Sequence, residues 1–165
     1  MKRTVFTFAM MVALSLSVCG QSSNRNILRA LADNDDVERI SIGSVGMWVA
    51  KLAGGLSNVP GLNGIQSVEI LSINDKCPRN RKETIKKQIA SLSDDAEYVT
   101  LMDIKDAGDK VRMMIRQDGG TVKELLLAVV SNDDDSAVIR IKGKMKLSDV
   151  QAMIESSEKD KNRKN

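Results

Sequence analysis

Four short runs of alternating apolar and polar residues occupy the chain from residue 97 onward, and they restrict the possible folds more than any other feature. The runs are Glu97–Lys105, Val111–Arg116, Val122–Val130 and Ala137–Met145. Alternation with a period of two places every second side chain on the same face of a strand. Turn residues such as Gly119-Gly120 separate the runs. The pattern therefore predicts a four-stranded antiparallel meander with one covered face. Val122–Val130 has enough leucine for a helix, and we assign it to a strand because turns bound it and strands surround it.

The chain before residue 97 mixes helical and strand patterns. Helical spacing of apolar residues, or a suitable start signal, predicts helices at 22–32, Val45–Leu52 and Pro78–Leu92, and Ser148 is placed to cap a last helix, Asp149–Glu155. Val37–Ile42 and Ser67–Ile73 are predicted strands. The fold class is therefore α+β: a mainly antiparallel sheet that ends in a four-stranded meander, with helices packed on one face.

The first residues have the pattern of an export signal. Lys2 and Arg3 precede the uncharged apolar run Val5–Leu16, which is shorter than the roughly 20 residues that span a bilayer. We therefore expect residues 1–20 to be a signal peptide, residues 21–155 a single α+β domain, and residues 156–165 a disordered charged tail. This predicts an exported protein.

Two cleavage sites fit the residues after the apolar run. Small residues at Val18 and Gly20 suit signal peptidase I, which would leave Gln21 as the new N-terminus. Alternatively, Leu16-Ser17-Val18-Cys19 is a lipobox in which Cys19 is the lipidation candidate, although Val18 fits that pattern poorly. Acyl chains on Cys19 would hold the domain at a membrane surface. Both sites remain open at this point.

Composition excludes several kinds of chemistry. Histidine is absent, which removes Ser-His-Asp and Cys-His catalysis and the usual zinc sites. The net charge of +3 includes Lys2 and Arg3 of the signal, so the mature chain is nearly neutral and gives no reason to expect nucleic-acid binding. The acidic turns 33–36 and 132–135 lack the spacing of a calcium loop. We predict no enzyme activity, no cofactor and no metal.

Cys77 is the candidate reactive thiol. It stands directly before Pro78, at the expected N-cap of the long helix, where backbone N–H groups and the helix dipole favour a thiolate. Lys76 and Arg79 would add to this effect. The alternative is a buried or incidental cysteine. The absence of a partner thiol favours this alternative, because redox catalysis normally uses two thiols.

Carboxylates in the predicted strands are candidates for acid–base chemistry, but the sequence cannot place two of them at the right separation. The residues concerned are Glu97, Asp103 and Glu124. We predict instead that they form cross-strand ion pairs with Arg112 and Arg140.

The meander resembles the domain of unknown function 4252 family, small exported proteins of Gram-negative bacteria that include many lipoproteins. The resemblance is carried by Leu101-Met102 leading into Lys105-Asp106, Gly108, Val111, Glu124-Leu125-Leu126, and Gly143-Lys144 before Leu147 and Asp149. SVEILSI upstream is also similar. The resemblance implies export and one α+β domain, and it implies no activity.

Together these features predict a non-enzymatic protein of the cell envelope that binds an unknown envelope protein or peptide through its sheet. It would be periplasmic or membrane-anchored, and it would meet the membrane only through a lipid on Cys19. One alternative is a carboxylate-based hydrolase that acts on an envelope substrate. Another is a surface-anchored structural lipoprotein.

Overall fold

The structure is a computed structural model that describes residues 23–44, 46, 64–132 and 136–152. In this part of the chain, helices and strands follow one another as α1 (Ser23–Ala32), β1 (Val37–Ile42), β2 (Ile65–Ile73), α2 (Arg79–Ala90), β3 (Tyr98–Asp106), β4 (Asp109–Asp118), β5 (Thr121–Val130), β6 (Ala137–Lys146) and α3 at residues 147–152. None of the described helices has the length and hydrophobicity to span a bilayer.

The strands form one antiparallel sheet in the order β1-β2-β6-β5-β4-β3. The last four strands are neighbours in chain order, which confirms the predicted meander and the α+β class. The connection from β2 to β3 leads from one side of the sheet to the opposite edge, and α2 lies within it. Strands β1 and β3 are the two edges.

The first hydrophobic core lies between the sheet and the helices α1 and α2. Leu28 and Leu31 of α1 and Ile85 and Ile89 of α2 are buried, at helical spacings of three and four residues. They belong to a core that includes the sheet residues Leu71, Met114, Leu126 and Val138. We call this side of the sheet the helix face.

The opposite side, which we call the far face, carries a second, smaller core. Ile115 and Leu125 follow and precede the helix-face residues Met114 and Leu126, so their side chains point the other way. They cluster with Ile65, Val122, Met145 and Val150. Since Val150 belongs to α3, this helix packs on the far face. Strand β6 runs into α3 without a loop, so Ser148 is already helical and the predicted cap there is wrong.

Two hairpins of the meander have two-residue loops whose residues all have positive φ. Ala107 and Gly108 have φ of 47° and 97°, and Gly119 and Gly120 have φ of 54° and 77°. Positive φ at both loop positions is the type I′ geometry, whose twist matches that of antiparallel strands. The turns predicted from these residues are therefore confirmed.

Glycines also set the closest approach between β2 and β6. A Cβ atom on Gly143 would lie 2.1 Å from the carbonyl oxygen of Gly64, and one on Gly64 would lie 2.3 Å from that of Lys144. A carbon and an oxygen that are not bonded to each other cannot approach this closely. The two backbones can meet here only because both positions lack a side chain.

Other predicted elements differ little from the structure or cannot be compared with it. Helix α2 begins at Arg79, so Pro78 is its N-cap residue rather than its first helical residue. The predicted helix Val45–Leu52, residues 1–20 with Cys19, and the tail 156–165 lie wholly or almost wholly outside the described residues.

Candidate functional site

A charged cleft opens on the helix face, between α1 and a row of polar side chains. The row crosses five strands through paired residues, in the order Ser67, Lys142, Glu124, Arg116 and Tyr98. The cleft has a volume of about 460 Å³ and is lined by Arg25, Leu28, Arg29, Ala32, Asp33, Arg39, Glu69, Arg116, Glu124, Arg140 and Lys142. Charged side chains are unusual on the covered face of a sheet, because burying a charge is costly unless it is paired.

The floor of the charged cleft is a network of two glutamates and three arginines. Arg140 bridges the glutamates: its Nη1 donates to Oε2 of Glu69 at 2.7 Å, and its Nε donates to Oε1 of Glu124 at 2.9 Å. Arg39 contacts the other oxygen of Glu69 at 2.6 Å, and Arg116 contacts the other oxygen of Glu124 at 3.4 Å. The glutamate side chains are only 8% and 3% exposed. Each carboxylate therefore has two guanidinium partners.

Tyr98 closes the row at β3. Its side chain is completely buried, and its hydroxyl lies near Glu124 without a hydrogen bond of regular geometry. Burial, together with the negative charge of Glu124, raises the pKa of Tyr98 to about 12. The phenol is thus held neutral beside the network.

Helix α1 is fixed above the network by its first turn. The Asn24 side chain donates to the carbonyl of Ser93 at 2.6 Å and accepts from the Ser93 N–H at 3.2 Å. The Asn24 N–H donates to Asp95, whose other oxygen accepts from the backbone N–H of Tyr98 at 2.9 Å. The same loop therefore positions α1 and the start of β3. Arg25 of α1 also pairs with Glu97 at 2.7 Å.

Several predicted ion pairs are present. Arg112 pairs with Asp103 at 2.5 Å, and Arg140 pairs with Glu124. Glu97 contacts Arg25 and lies 3.9 Å from Arg116 instead of the arginines we expected.

Sequence reasoning missed Glu69, although a signal for it was present. Within SVEILSI, Glu69 has the same parity as Leu71 and Ile73, which are core residues. A charged residue on the core-facing side of a strand indicates a buried partner. That partner, Arg140, lies 71 residues away along the chain.

The surroundings of Cys77 match the alternative given by the sequence, a buried cysteine. It is buried, it precedes the N-cap residue Pro78, and its Sγ lies 3.6 Å from the Pro78 carbonyl oxygen. Burial raises the pKa of the Cys77 thiol, Asp36 adds to the rise, and Lys82 and Arg81 act in the opposite direction. The direction is opposite to the one expected for a reactive thiol, and reactivity stays a prediction.

Exposed apolar residues form a second notable surface. The large exposed hydrophobic residues of the described chain are Ile40 and Ile42 on β1 and Val99, Leu101 and Ile104 on β3. All five therefore lie on the two edge strands. Exposed apolar side chains beside an unpaired strand edge are typical of an interaction surface.

The described residues contain no group of three or more side chains that could hold a metal ion. A protein-family model described as a domain of unknown function (DUF4252) matches residues 32–153, which include both edge strands and the sheet residues of the charged cleft but not Arg25, Leu28 and Arg29 of α1. Searches of curated proteins and of solved structures find no match.

Proposed function

Because the chain belongs to the DUF4252 family, whose description assigns no activity, we propose its function from the surface of the sheet. We propose that it is a non-enzymatic protein of the cell envelope that binds an extended segment of a partner protein or peptide along β3. The observation that carries this proposal is the restriction of large exposed apolar side chains to the edge strands.

Strand β3 has the properties needed to add a further strand. It is nine residues long and, among the residues that the structure describes, it pairs on one side only, with β4. An added peptide gains main-chain hydrogen bonds from such an edge, while alternate side chains give specificity. Ile104 of this strand is 44% exposed. Its side chain would face an apolar side chain of an incoming strand.

The first half of β3 is already protected, which localises the proposed contact. The Thr100 N–H donates to Asp94 at 2.8 Å, and the register with β4 shifts between Thr100 and Met102. Side-chain capping and a bulge both discourage pairing at an edge. We therefore place the added strand against residues 102–106, where Ile104 is the central apolar side chain.

The far face extends this surface inward. Val111 of β4 pairs with Ile104 and with Val129 of β5, and the neighbouring pair is Met113 and Leu127. These side chains are partly exposed. A partner strand with apolar residues could therefore continue its contact from the edge onto the far face.

Export and anchoring belong to the same proposal and rest on the sequence. Lys2, Arg3 and Val5–Leu16 favour export, and Cys19 is the candidate for lipidation. An anchor on Cys19 would hold the sheet near envelope partners. A purely structural lipoprotein is the alternative in which the anchor alone matters.

Crosslinking and pull-down from envelope extract test the binding surface. Ile104→Lys introduces a charge at the centre of the proposed contact, and Gln117→Lys adds the same charge at another exposed strand position as the matched control. We expect wild type and Gln117→Lys to recover the same partner and Ile104→Lys to lose it. All three proteins should have the same circular dichroism spectrum and thermal midpoint.

Amide exchange gives a second readout with the recovered partner. Strand addition should protect the amides of residues 102–106. Recovery of no specific partner, or equal recovery by Ile104→Lys, would contradict the proposal. Protection confined to another surface would move the binding site away from β3.

One observation favours the alternative of a carboxylate-based hydrolase: Glu69 and Glu124 lie in the same cleft. However, Arg140 occupies both carboxylates as a hydrogen-bond donor. Either glutamate would need to leave Arg140 before it could accept or donate a proton. Glu124→Gln, assayed on envelope polymers beside wild type, tests this alternative, because a hydrolase of this kind would lose its activity.

A further inference from the structure

We propose that the charged cleft is a binding site for a small polyanion, meaning a phosphate ester or a polycarboxylate with at least two negative charges. This inference does not depend on peptide binding at β3, because the cleft lies on the helix face. Its basis is the juxtaposition of fixed guanidinium groups, weakly paired donors and an open cavity.

The lining of the charged cleft carries excess positive charge. Six cationic and three anionic side chains line it, a surplus of three. Glu97, which pairs with Arg25 and lies near Arg116, reduces this surplus to two. A dianion would balance the remaining charge. Clefts with one sign of charge raise the local concentration of oppositely charged ligands.

The glutamates hold the arginines in place. On the floor of the cleft, two carboxylates face three guanidinium groups, so the carboxylates do not neutralise the arginines fully. Each guanidinium has five N–H donors in a rigid fork that suits carboxylate and phosphate oxygens. Because the buried glutamates already orient these groups, a ligand would lose little entropy in ordering them.

Two buried donors beside the cleft are only weakly paired with described residues. The Nε atom of Arg116 lies 3.9 Å from Glu97, and the hydroxyl of Tyr98 lies near Glu124 without a hydrogen bond of regular geometry. The two residues are paired across β3 and β4. An oxyanion in the cleft would supply acceptors to Arg116 and negative charge to the whole row.

A contribution to stability does not by itself explain the network of buried glutamates and arginines. Buried ion pairs cost desolvation, and apolar residues of similar size often give equal or greater stability. Most of the helix face is apolar; apart from the Arg112–Asp103 pair near the end of α2, its buried charges lie where the cleft opens. Its volume of about 460 Å³ lies in the range of small-molecule sites, about 300–1,000 Å³.

Titration calorimetry of the mature protein at low salt tests this inference, with pyrophosphate and citrate as separate probes. Arg29→Gln and Lys142→Gln each remove a lining charge without touching the Glu69–Arg140–Glu124 network. Lys87→Gln removes the same charge from an exposed position on α2. We expect each cleft variant to weaken binding about tenfold and the control to bind like wild type. Sodium chloride should weaken binding further.

The two probes separate the sources of the anion. Pyrophosphate binding without citrate binding assigns the site to phosphate groups, the converse assigns it to polycarboxylates, and binding of both assigns it to small polyanions in general. No binding of either probe at millimolar concentration would overturn the inference. So would equal losses in Lys87→Gln and the cleft variants, or no loss in Arg29→Gln and Lys142→Gln, with folding of every variant checked by thermal melting.

Discussion

Replacing Arg140 with methionine should lower the free energy of unfolding more than any surface substitution does, because it leaves two buried carboxylates without their shared partner. Arg140 contacts Glu69 at 2.7 Å and Glu124 at 2.9 Å. Removing one partner of a buried ion pair costs about 3–5 kcal/mol. Glu69 keeps Arg39 and Glu124 keeps Arg116. We therefore expect the lower end of that range, about 3 kcal/mol.

Urea denaturation followed by circular dichroism measures this loss in the free energy of unfolding. For a domain of this size it corresponds to a fall in the thermal midpoint of roughly 10 °C. Arg79→Met, an exposed change on α2, is the matched control and should alter stability by less than about 0.5 kcal/mol.

A combined variant separates unpaired charge from lost packing. Adding Glu69→Gln and Glu124→Gln to Arg140→Met removes both buried charges, so at least about half of the lost stability should return. A loss below about 1 kcal/mol in Arg140→Met would refute the view that Arg140 neutralises buried charge. A combined variant no more stable than the single variant would refute it as well.

Four further predictions follow from single positions. Tyr98 is the single tyrosine, so tyrosinate absorbance should show a folded midpoint of about 12, against about 10 in urea. Because the folded pKa is the higher one, stability from neutral Tyr98 is complete below about pH 10 and is lost as the pH rises towards about 12, a loss that Tyr98→Phe should lack. Cys77 should be labelled slowly, with a midpoint above the ordinary thiol value, and a lowered midpoint would contradict its burial. Gly143→Ala should destabilise by about 1–3 kcal/mol, because the added Cβ meets a backbone oxygen, while Gly43→Ala, whose Cβ would meet no described atom within 4 Å, should not. Cys19→Ala should release the protein from the membrane fraction, and unchanged partitioning would end the lipoprotein hypothesis.

Local chemistry allowed much of this fold to be predicted. Alternation assigned β4 and β6, and turn glycines fixed the two-residue hairpins, because these signals act over a few neighbouring residues. Val122–Val130 shows the limit of this reasoning, since its leucines fit a helix and the neighbouring strands decided the matter. The cross-strand pair of Arg140 with Glu124 was also predictable, because the meander brings β5 and β6 together.

The sequence by itself thus determined most of the elements, the meander and the alternation of side chains along its strands. Only the tertiary structure decided that β2 pairs with β6. This pairing brings Glu69 to the guanidinium of Arg140, 71 residues away, which also binds Glu124. The tertiary structure also decided that β3 is an edge strand of the described sheet and that Cys77 is buried. The physical reason is range: side-chain periodicity is a local property, whereas strand order depends on how distant apolar faces pack together.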